Sequence, residues 1–412
     1  MKNEVDDLEK KGFIWNMFGS IMTAASTMIL SLFVIKIVGA KEGGIFAIAL
    51  TISQMLMYIA YYEMRTFQVT DAKGKYQFSE YHATKIIMCC VTLVITGIYI
   101  GIKGYYLEKA LIVWLMCLWK VIDGYADVYE SQFQTIGRLD LAGKSMTYRM
   151  LISLIIFFGA LISTHNLLLS LVILNIVACI GVIMFDIIIM KKIGKISCLW
   201  NCAKIKEIAK ECFPLFVSTF CGVYILSASR MAIDSNMTSE FQAYYQVIFL
   251  PVSVVNLFAN FVFKPLLPKL AMYYENKMNK EFYRIIGQGI MILTGITFIC
   301  MLGAYLIGIP VLSLLSGCNL ENYKKDLVFL IFAGGFNAIN YTLYYVLTIM
   351  RKMKAVLMAY IITTVVAYII SPFMVRIGGI EGATMSFFVA VIVLFILLGG
   401  LIIINNRKEV VK

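Results

Sequence analysis

The chain is short of charge, histidine and proline. Charged residues make up 15% of the 412, against roughly 25% in an average soluble domain. With only two histidines, His82 and His165, neither near the Cys198–Cys202 pair, a metal site is not indicated. The ten cysteines lie mostly in apolar stretches and do not form the spacing pattern of a disulfide framework. No Walker loop and no Asp-x-Asp sequence in a loop is present, so the chain has no ATP site of its own and no nucleotide-sugar metal site. It reads as a protein without a cofactor and not as an enzyme. Proline occurs six times, and Pro251 sits inside an apolar stretch, where membrane helices tolerate it. The segment Met1 to Lys11 lacks a positive n-region, and no A-x-A-type cleavage site follows it, so the first apolar stretch reads as an uncleaved helix.

What the chain has is a rhythm of apolar stretches near twenty residues long. These are 12–38, 44–62, 86–102, 110–130, 147–163, 167–190, 213–232, 241–263, 285–308, 326–349, 354–375 and 382–405. A hydrocarbon core about 30 Å thick is crossed by ≈ 20 apolar residues in a helix. The fold class is therefore all-α: a polytopic membrane protein of twelve transmembrane helices. The basic loop 191–211 falls after the sixth stretch and divides the chain into an N-terminal six-helix bundle (1–190), a basic cytoplasmic linker (191–211) and a C-terminal six-helix bundle (212–412). That 6 + 6 order suggests duplicated halves.

Twelve crossings put both termini on one side. The loops on that side carry 27 Lys and Arg, and those on the other carry 6. Positive residues are retained in the cytoplasm, so both termini are expected there, in a multi-pass protein of the cytoplasmic membrane. The net charge of +12 then reports topology and contact with anionic lipid, not nucleic-acid binding.

Charged side chains within a bilayer cost about 2.5–3.5 kcal/mol on insertion scales and face the bundle interior or water. Helix 4 carries Lys120, Asp123, Asp127 and Glu130 within an arc of about 80°. They read either as a cation or proton site on a hydrated path, or as an internal ion pair of Lys120 with Asp123 that fixes packing. Helix 7 carries Thr219, Ser227 and Arg230, continued by Asp234. Arg230 has the planar fork that matches phosphate; the alternative is a snorkelling Arg paired with Asp234. Helix 1 has Asn16, Ser20, Thr23 and Thr27 on one stripe with Lys36 roughly opposite. Helix 8 aligns Gln246, Ser253, Asn256 and Asn260, and helix 10 aligns Asn337, Asn340, Tyr341 and Tyr344 after Gly334-Gly335. Amides and tyrosine rings suit sugars; the alternative is interhelical bonding, worth about 0.6 kcal/mol on average. Five polar stripes exceed what bundle packing needs and point to a shared hydrated cavity.

Several segments then resemble a known family. Ile35-Lys36-Ile37-Val38-Gly39-Ala40-Lys41-Glu42-Gly43-Gly44-Ile45-Phe46-Ala47 is similar to the opening pattern of the polysaccharide transporter family, the lipid-linked oligosaccharide flippases of O-antigen and capsule type. These belong to the multidrug/oligosaccharidyl-lipid/polysaccharide exporter superfamily. Glu63 to Asp71, Ser229-Arg230-Met231-Ala232-Ile233-Asp234, Phe263 to Leu270 and Gly378-Gly379-Ile380-Glu381-Gly382-Ala383 resemble later segments in order. Where the opening often has Arg, this chain has Lys36, which keeps the charge but not the bidentate geometry.

The resemblance implies two six-helix bundles around a central cavity, working by alternating access. The implied substrate is an undecaprenyl-pyrophosphate-linked oligosaccharide moved from the inner to the outer leaflet, with H⁺ or Na⁺ as coupling ion. Membrane lipids and the polymerase and glycosyltransferases of the same pathway are the implied partners. Arg230, Lys36, Lys120 and Arg65 would meet phosphate or sugar acid. Asn337, Asn340, Tyr344 and Asn256 would meet sugar, and Asp123, Asp127 and Asp234 would couple the cation. The competing expectation within the superfamily is a drug/cation antiporter. A polymerase or ligase fits less well because the external loops are short, and a scramblase has no need of charged stripes.

Overall fold

The computed structural model describes residues 2–71, 74–194, 196–263 and 266–410. Among them there are helices and connecting segments but no strands. The twelve expected crossings are all present. The helix Lys2–Tyr61 is broken at Gly39 (φ 85°, ψ 172°) into α1 (2–38) and α2 (40–61). Then follow α3 (Phe78–Lys103), α4 (Leu107–Thr135), α5 (Leu139–Thr164), α6 (Leu167–Ile193), α7 (Cys202–Asn236), α8 (Ser239–Phe263), α9 (Asn279–Ser316) and α10 (Lys324–Ile349). The helix Met353–Val410 breaks at Gly379 into α11 (353–378) and α12 (380–410). Both breaks fall in the glycine turns seen in the sequence.

Among the described residues nine continuous helices are long and apolar enough to cross a membrane, the two broken ones counting once each. Helix α4 is not among them, because every membrane-length window of it contains at least three of its charged residues. It is kept in the bundle by what its charges meet.

The chain forms two compact units. The first comprises Met1–Val38 and Ile45–Phe220, the second Gly39–Gly44 and Cys221–Lys412. Their boundary lies inside α7. The basic stretch 191–211 contains the end of α6, a segment without regular structure at 196–201 and the first turns of α7. Ile208 and Cys212 of α7 are buried against Tyr62, Tyr81 and Tyr129. Lys75 joins that segment through Glu207 (2.8 Å) and Glu211 (2.7 Å), and these two carboxylates push its ammonium pKa further up.

The duplication shows in the turns. Left-handed backbone occurs at Gly104, Gly137 and His165 in the first half and at Gly317, Arg351 and Gly379 in the second, 213 or 214 positions later. The helix ends match bond for bond. Gly137 N–H donates to Gln134 and Arg138 N–H to Phe133, while Arg351 N–H donates to Thr348 and Lys352 N–H to Leu347. This is the Schellman end, in which one left-handed residue closes two orphan carbonyls.

Close packing positions the helices that carry the candidate residues. On α4, a Cβ at Gly124 would meet Ala60 of α2 at 2.8 Å. On α10, Cβ atoms at Gly334 and Gly335 would meet Val252 of α8 and Thr297 of α9. Two π-helical turns, Ile183–Ile187 in α6 and Ala304–Gly308 in α9, interrupt the regular ladder.

Candidate functional site

In the first unit the charged arc of α4 meets cations from three other elements. Arg149 of α5 is the hub. Its Nη2 donates to Asp123 Oδ1 (2.7 Å) and Glu130 Oε1 (2.9 Å), and its Nη1 to Asp186 Oδ2 of α6 (2.8 Å). Ser145 donates to the other Asp186 oxygen at 2.6 Å. Arg65, on the short helix Met64–Thr70, reaches Glu130 Oε2 (3.2 Å), Asp127 Oδ1 (3.4 Å) and Gln134. Lys85 of α3 donates to Asp127 Oδ2 (3.0 Å) and to the carbonyls of Ala60 and Tyr61 (3.3 and 3.2 Å). Tyr61 donates its hydroxyl to Asp123 Oδ2 (3.0 Å). All eight oxygens of the four carboxylates thus receive a donor.

Burial makes this network costly to leave incomplete. The Lys85 side chain is 1% exposed and Asp186 is fully buried. Buried charges are tolerated only when paired and hydrogen-bonded. Arg65, 29% exposed, lines a cavity of about 250 Å³ whose walls include Thr23, Tyr61, Glu63 and Met146 as well as Asp123, Asp127, Glu130 and Arg149 of the network. Just before Arg65 the backbone turns through two left-handed residues, Tyr62 (φ 49°) and Glu63 (φ 53°), a conformation L-residues adopt at a cost. The carbonyls that Lys85 holds lie immediately before that turn. Among the described residues no group of three His, Cys, Asp or Glu is placed to hold a metal ion.

Of the residues singled out in the sequence, Asp123, Asp127 and Arg65 come together here. Lys120 does not pair with Asp123; its ammonium lies 4.1 Å over the Trp119 ring, and Asp123 is taken by Arg149 and Tyr61. Lys36 is exposed and lies 13 residues along α1 from the cavity-lining Thr23, about 20 Å away. The sequence reading missed Arg149, Lys85 and Asp186 as members of the network.

The second unit holds the other candidates. Arg230 of α7 is 9% exposed. Its Nη1 donates to Gln246 (3.2 Å), its Nη2 to the Leu226 carbonyl (3.1 Å), and its guanidinium lies over Phe249 at 4.7 Å. Its Nε has no hydrogen-bond partner. Among the described residues these bonds go to Gln246 and Leu226 and not to Asp234, the partner weighed from the sequence. Asn337 donates to Asn256 (3.0 Å) and Asn340 to the Val391 carbonyl (2.9 Å). Tyr344 packs edge-on against Tyr345 and Tyr360. Asp234, near the end of α7, is half-buried. The side chain of Asn260, and Lys264 and Pro265 of the segment after α8, lie outside the described residues.

The repeat offset makes a contrast visible. At 214 positions on, Asp123, Asp127, Glu130 and Arg149 correspond to Asn337, Tyr341, Tyr344 and Thr363. One half carries an ionic hub where the other carries amides, hydroxyls and rings.

No model of a known protein family matches the chain. It is 25% identical over 324 residues to the capsular polysaccharide biosynthesis protein CapF of Staphylococcus aureus, covering 78% of this chain and 80% of that protein. Its fold is similar to that of the lipid II flippase MurJ in an inward closed conformation, with a TM-score of 0.70, 16% identity, and 93% and 86% of the two chains covered. It is also similar to a multidrug resistance MATE family transporter of the MOP superfamily in an inward-facing conformation, with a TM-score of 0.63, 13% identity, and 97% and 99% covered. The bent form of the Vibrio cholerae MATE transporter VcmN aligns at 0.58 with 14% identity over 99% of each chain.

Proposed function

We propose that this chain, which has the twelve-helix fold of the multidrug/oligosaccharidyl-lipid/polysaccharide exporter superfamily, is a flippase for an undecaprenyl-pyrophosphate-linked oligosaccharide. It carries the lipid-linked sugar from the inner to the outer leaflet by alternating access, coupled to a cation gradient, with both termini cytoplasmic. The observation that carries this reading is Arg230: a guanidinium nearly out of solvent, with no carboxylate bonded to it among the described residues and its Nε–H unbonded there. A fixed buried cation without a counter-ion is costly, and an anionic phosphate substrate supplies one. A chain built only for cationic drugs has no use for it.

Within this reading Arg230 contacts the pyrophosphate, with Lys36 and Lys120 as further cations, and the Asn256–Asn337 pair, Asn340 and Tyr344 contact sugar. Asp123 and Asp127 carry the coupling ion, with Arg65 lining their cavity and Asp234 as a second acidic candidate. The likeness to a capsular polysaccharide protein and to a lipid II flippase supports a lipid-linked glycan over a drug.

The experiment is translocation of a fluorescent undecaprenyl-pyrophosphate oligosaccharide in proteoliposomes, read by quencher accessibility with and without an imposed ion gradient. Gradient-dependent arrival in the far leaflet, lost in Arg230→Gln, is the expected result. Transport of a small cationic dye without movement of the lipid would move the assignment to a drug antiporter.

A further inference from the structure

The cation-coupling reading leaves open which ion is used, and the Arg149 geometry bears on that choice. Three carboxylates from two helices, Asp123 and Glu130 of α4 and Asp186 of α6, converge on one side chain, two at Nη2 of Arg149 and one at its Nη1. Arg149 places its guanidinium among them with bonds of 2.7–2.9 Å to all three. A guanidinium is permanently charged and its donors are fixed in a plane, so it holds these carboxylates around itself and fills the space that a metal ion would need between them.

A hard cation requires several oxygen ligands with free lone pairs directed at it. Every oxygen in the network already faces a donor. Tyr61 of α2, Arg65 of the short helix and Lys85 of α3 close off the remaining oxygens of α4. Helix α1 contributes only the neutral Thr23 to the cavity wall, and the remaining acid there is Glu63 at the left-handed turn. Lys120, turned over Trp119, is a further positive charge on α4. Admitting Na⁺ therefore means expelling a tethered cation. A proton needs no such displacement. A protonated carboxyl becomes a donor on one oxygen and remains an acceptor on the other, so one member of the network can take a proton and keep a bond.

We propose that Arg149 is the ion-selectivity residue of this site: a tethered cation that fills a three-carboxylate cage, closing it to metal ions and leaving it open to protons. The claim rests on the coupling reading for its transport consequence, but the exclusion of sodium stands by itself. Arg149 is a positioning residue for the carboxylates, and emptying the cage converts the site into one that binds a metal cation.

The test uses the full-length protein. Binding of radiolabelled sodium is measured for wild type, Arg149→Gln and Arg149→Lys. Wild type is expected to show no saturable binding. Arg149→Gln is expected to gain saturable, proton-competed binding, at least about tenfold tighter than any wild-type signal. Arg149→Lys restores a tethered charge and is expected to suppress it, an outcome that a merely structural role would not produce. If Arg149→Gln fails to fold, the charge-balanced pair Arg149→Gln with Asp186→Asn takes its place, with a weaker but still saturable gain expected from the two carboxylates that remain. Saturable sodium binding by wild type, or none by a folded cage variant, overturns the proposal.

In proteoliposomes a pH gradient should drive wild-type transport and a sodium gradient should not; sodium-driven wild-type transport also overturns it. Transport driven by neither gradient refutes the coupling reading, and the binding arm still decides the role of Arg149.

Discussion

Lys85 offers the sharpest test of the buried network. Its ammonium is 1% exposed and bonds one carboxylate and two carbonyls. Lys85→Met keeps most of the stem's volume and removes the charge. Asp127 then keeps only the longer, 3.4 Å bond from Arg65, and the carbonyls of Ala60 and Tyr61 lose this donor just before two left-handed residues. Breaking a buried ion pair costs about 3–5 kcal/mol. Polar contacts within membrane proteins measure low, because the unfolded state in the bilayer also finds partners. The lower end applies, and the loss should be about 3 kcal/mol. Arg65→Gln, at a position 29% exposed, should lose only about 1 kcal/mol. The assay is reversible unfolding of the purified chain in mixed micelles, followed by circular dichroism, for Lys85→Met, Asp127→Asn and both together. The double variant should recover about 2 kcal/mol relative to additivity, within the range for groups in direct contact. A Lys85→Met loss under about 1 kcal/mol, or additivity in the pair, would show that the Lys85 charge is not held by Asp127.

Three further outcomes follow from the packing and the helix ends. Arg351→Gly should raise stability by about 0.5–1 kcal/mol in the same unfolding assay, because its left-handed φ of 57° suits glycine, which fills the matching place at Gly137. Gly143→Ala should cost about 2–3 kcal/mol and lower folded yield, since its Cβ would fall into the Trp15–Asn16 backbone and force α1 from α5. Asn337→Ala removes the bond to Asn256 and should lower stability by about 0.6 kcal/mol. In the flippase assay the same variant should lose most of its activity, and unchanged transport would remove the Asn pair from the sugar path.

The helices were legible because apolar length is a strong signal, and so was the charged arc of α4, since spacing alone places Lys120, Asp123, Asp127 and Glu130 on one face. Their partners were not. Lys85 falls one residue before the apolar stretch 86–102 and Arg149 near the start of 147–163, so both counted as cytoplasmic loop charges. The helices are longer than the apolar stretches. A local clue existed for α3: Gln77 and Glu80 form a capping box that starts the helix at Phe78, leaving Lys85 two turns inside it. For Arg149 and Asp186 there was no such clue, because 37 residues separate them and only the packing of α5 on α6 makes them neighbours. The Lys120–Asp123 pair failed for a related reason. An i,i+3 neighbour competes with any better-placed partner from another helix, and Arg149 and Tyr61 each supply one bond to Asp123.

The π turn at Ile183–Ile187 contains Asp186. An i→i+5 turn accommodates one residue more than a regular turn, so it offsets Asp186 from the bearing a regular helix would give it. Losing a single codon inside that turn would return it to a regular one with the later side chains near their present bearings, whereas a codon lost elsewhere in α6 would swing every later side chain by about 100°. The turn is therefore the one place in α6 where an in-frame deletion is absorbed locally, at the expense of the buried carboxylate's aim.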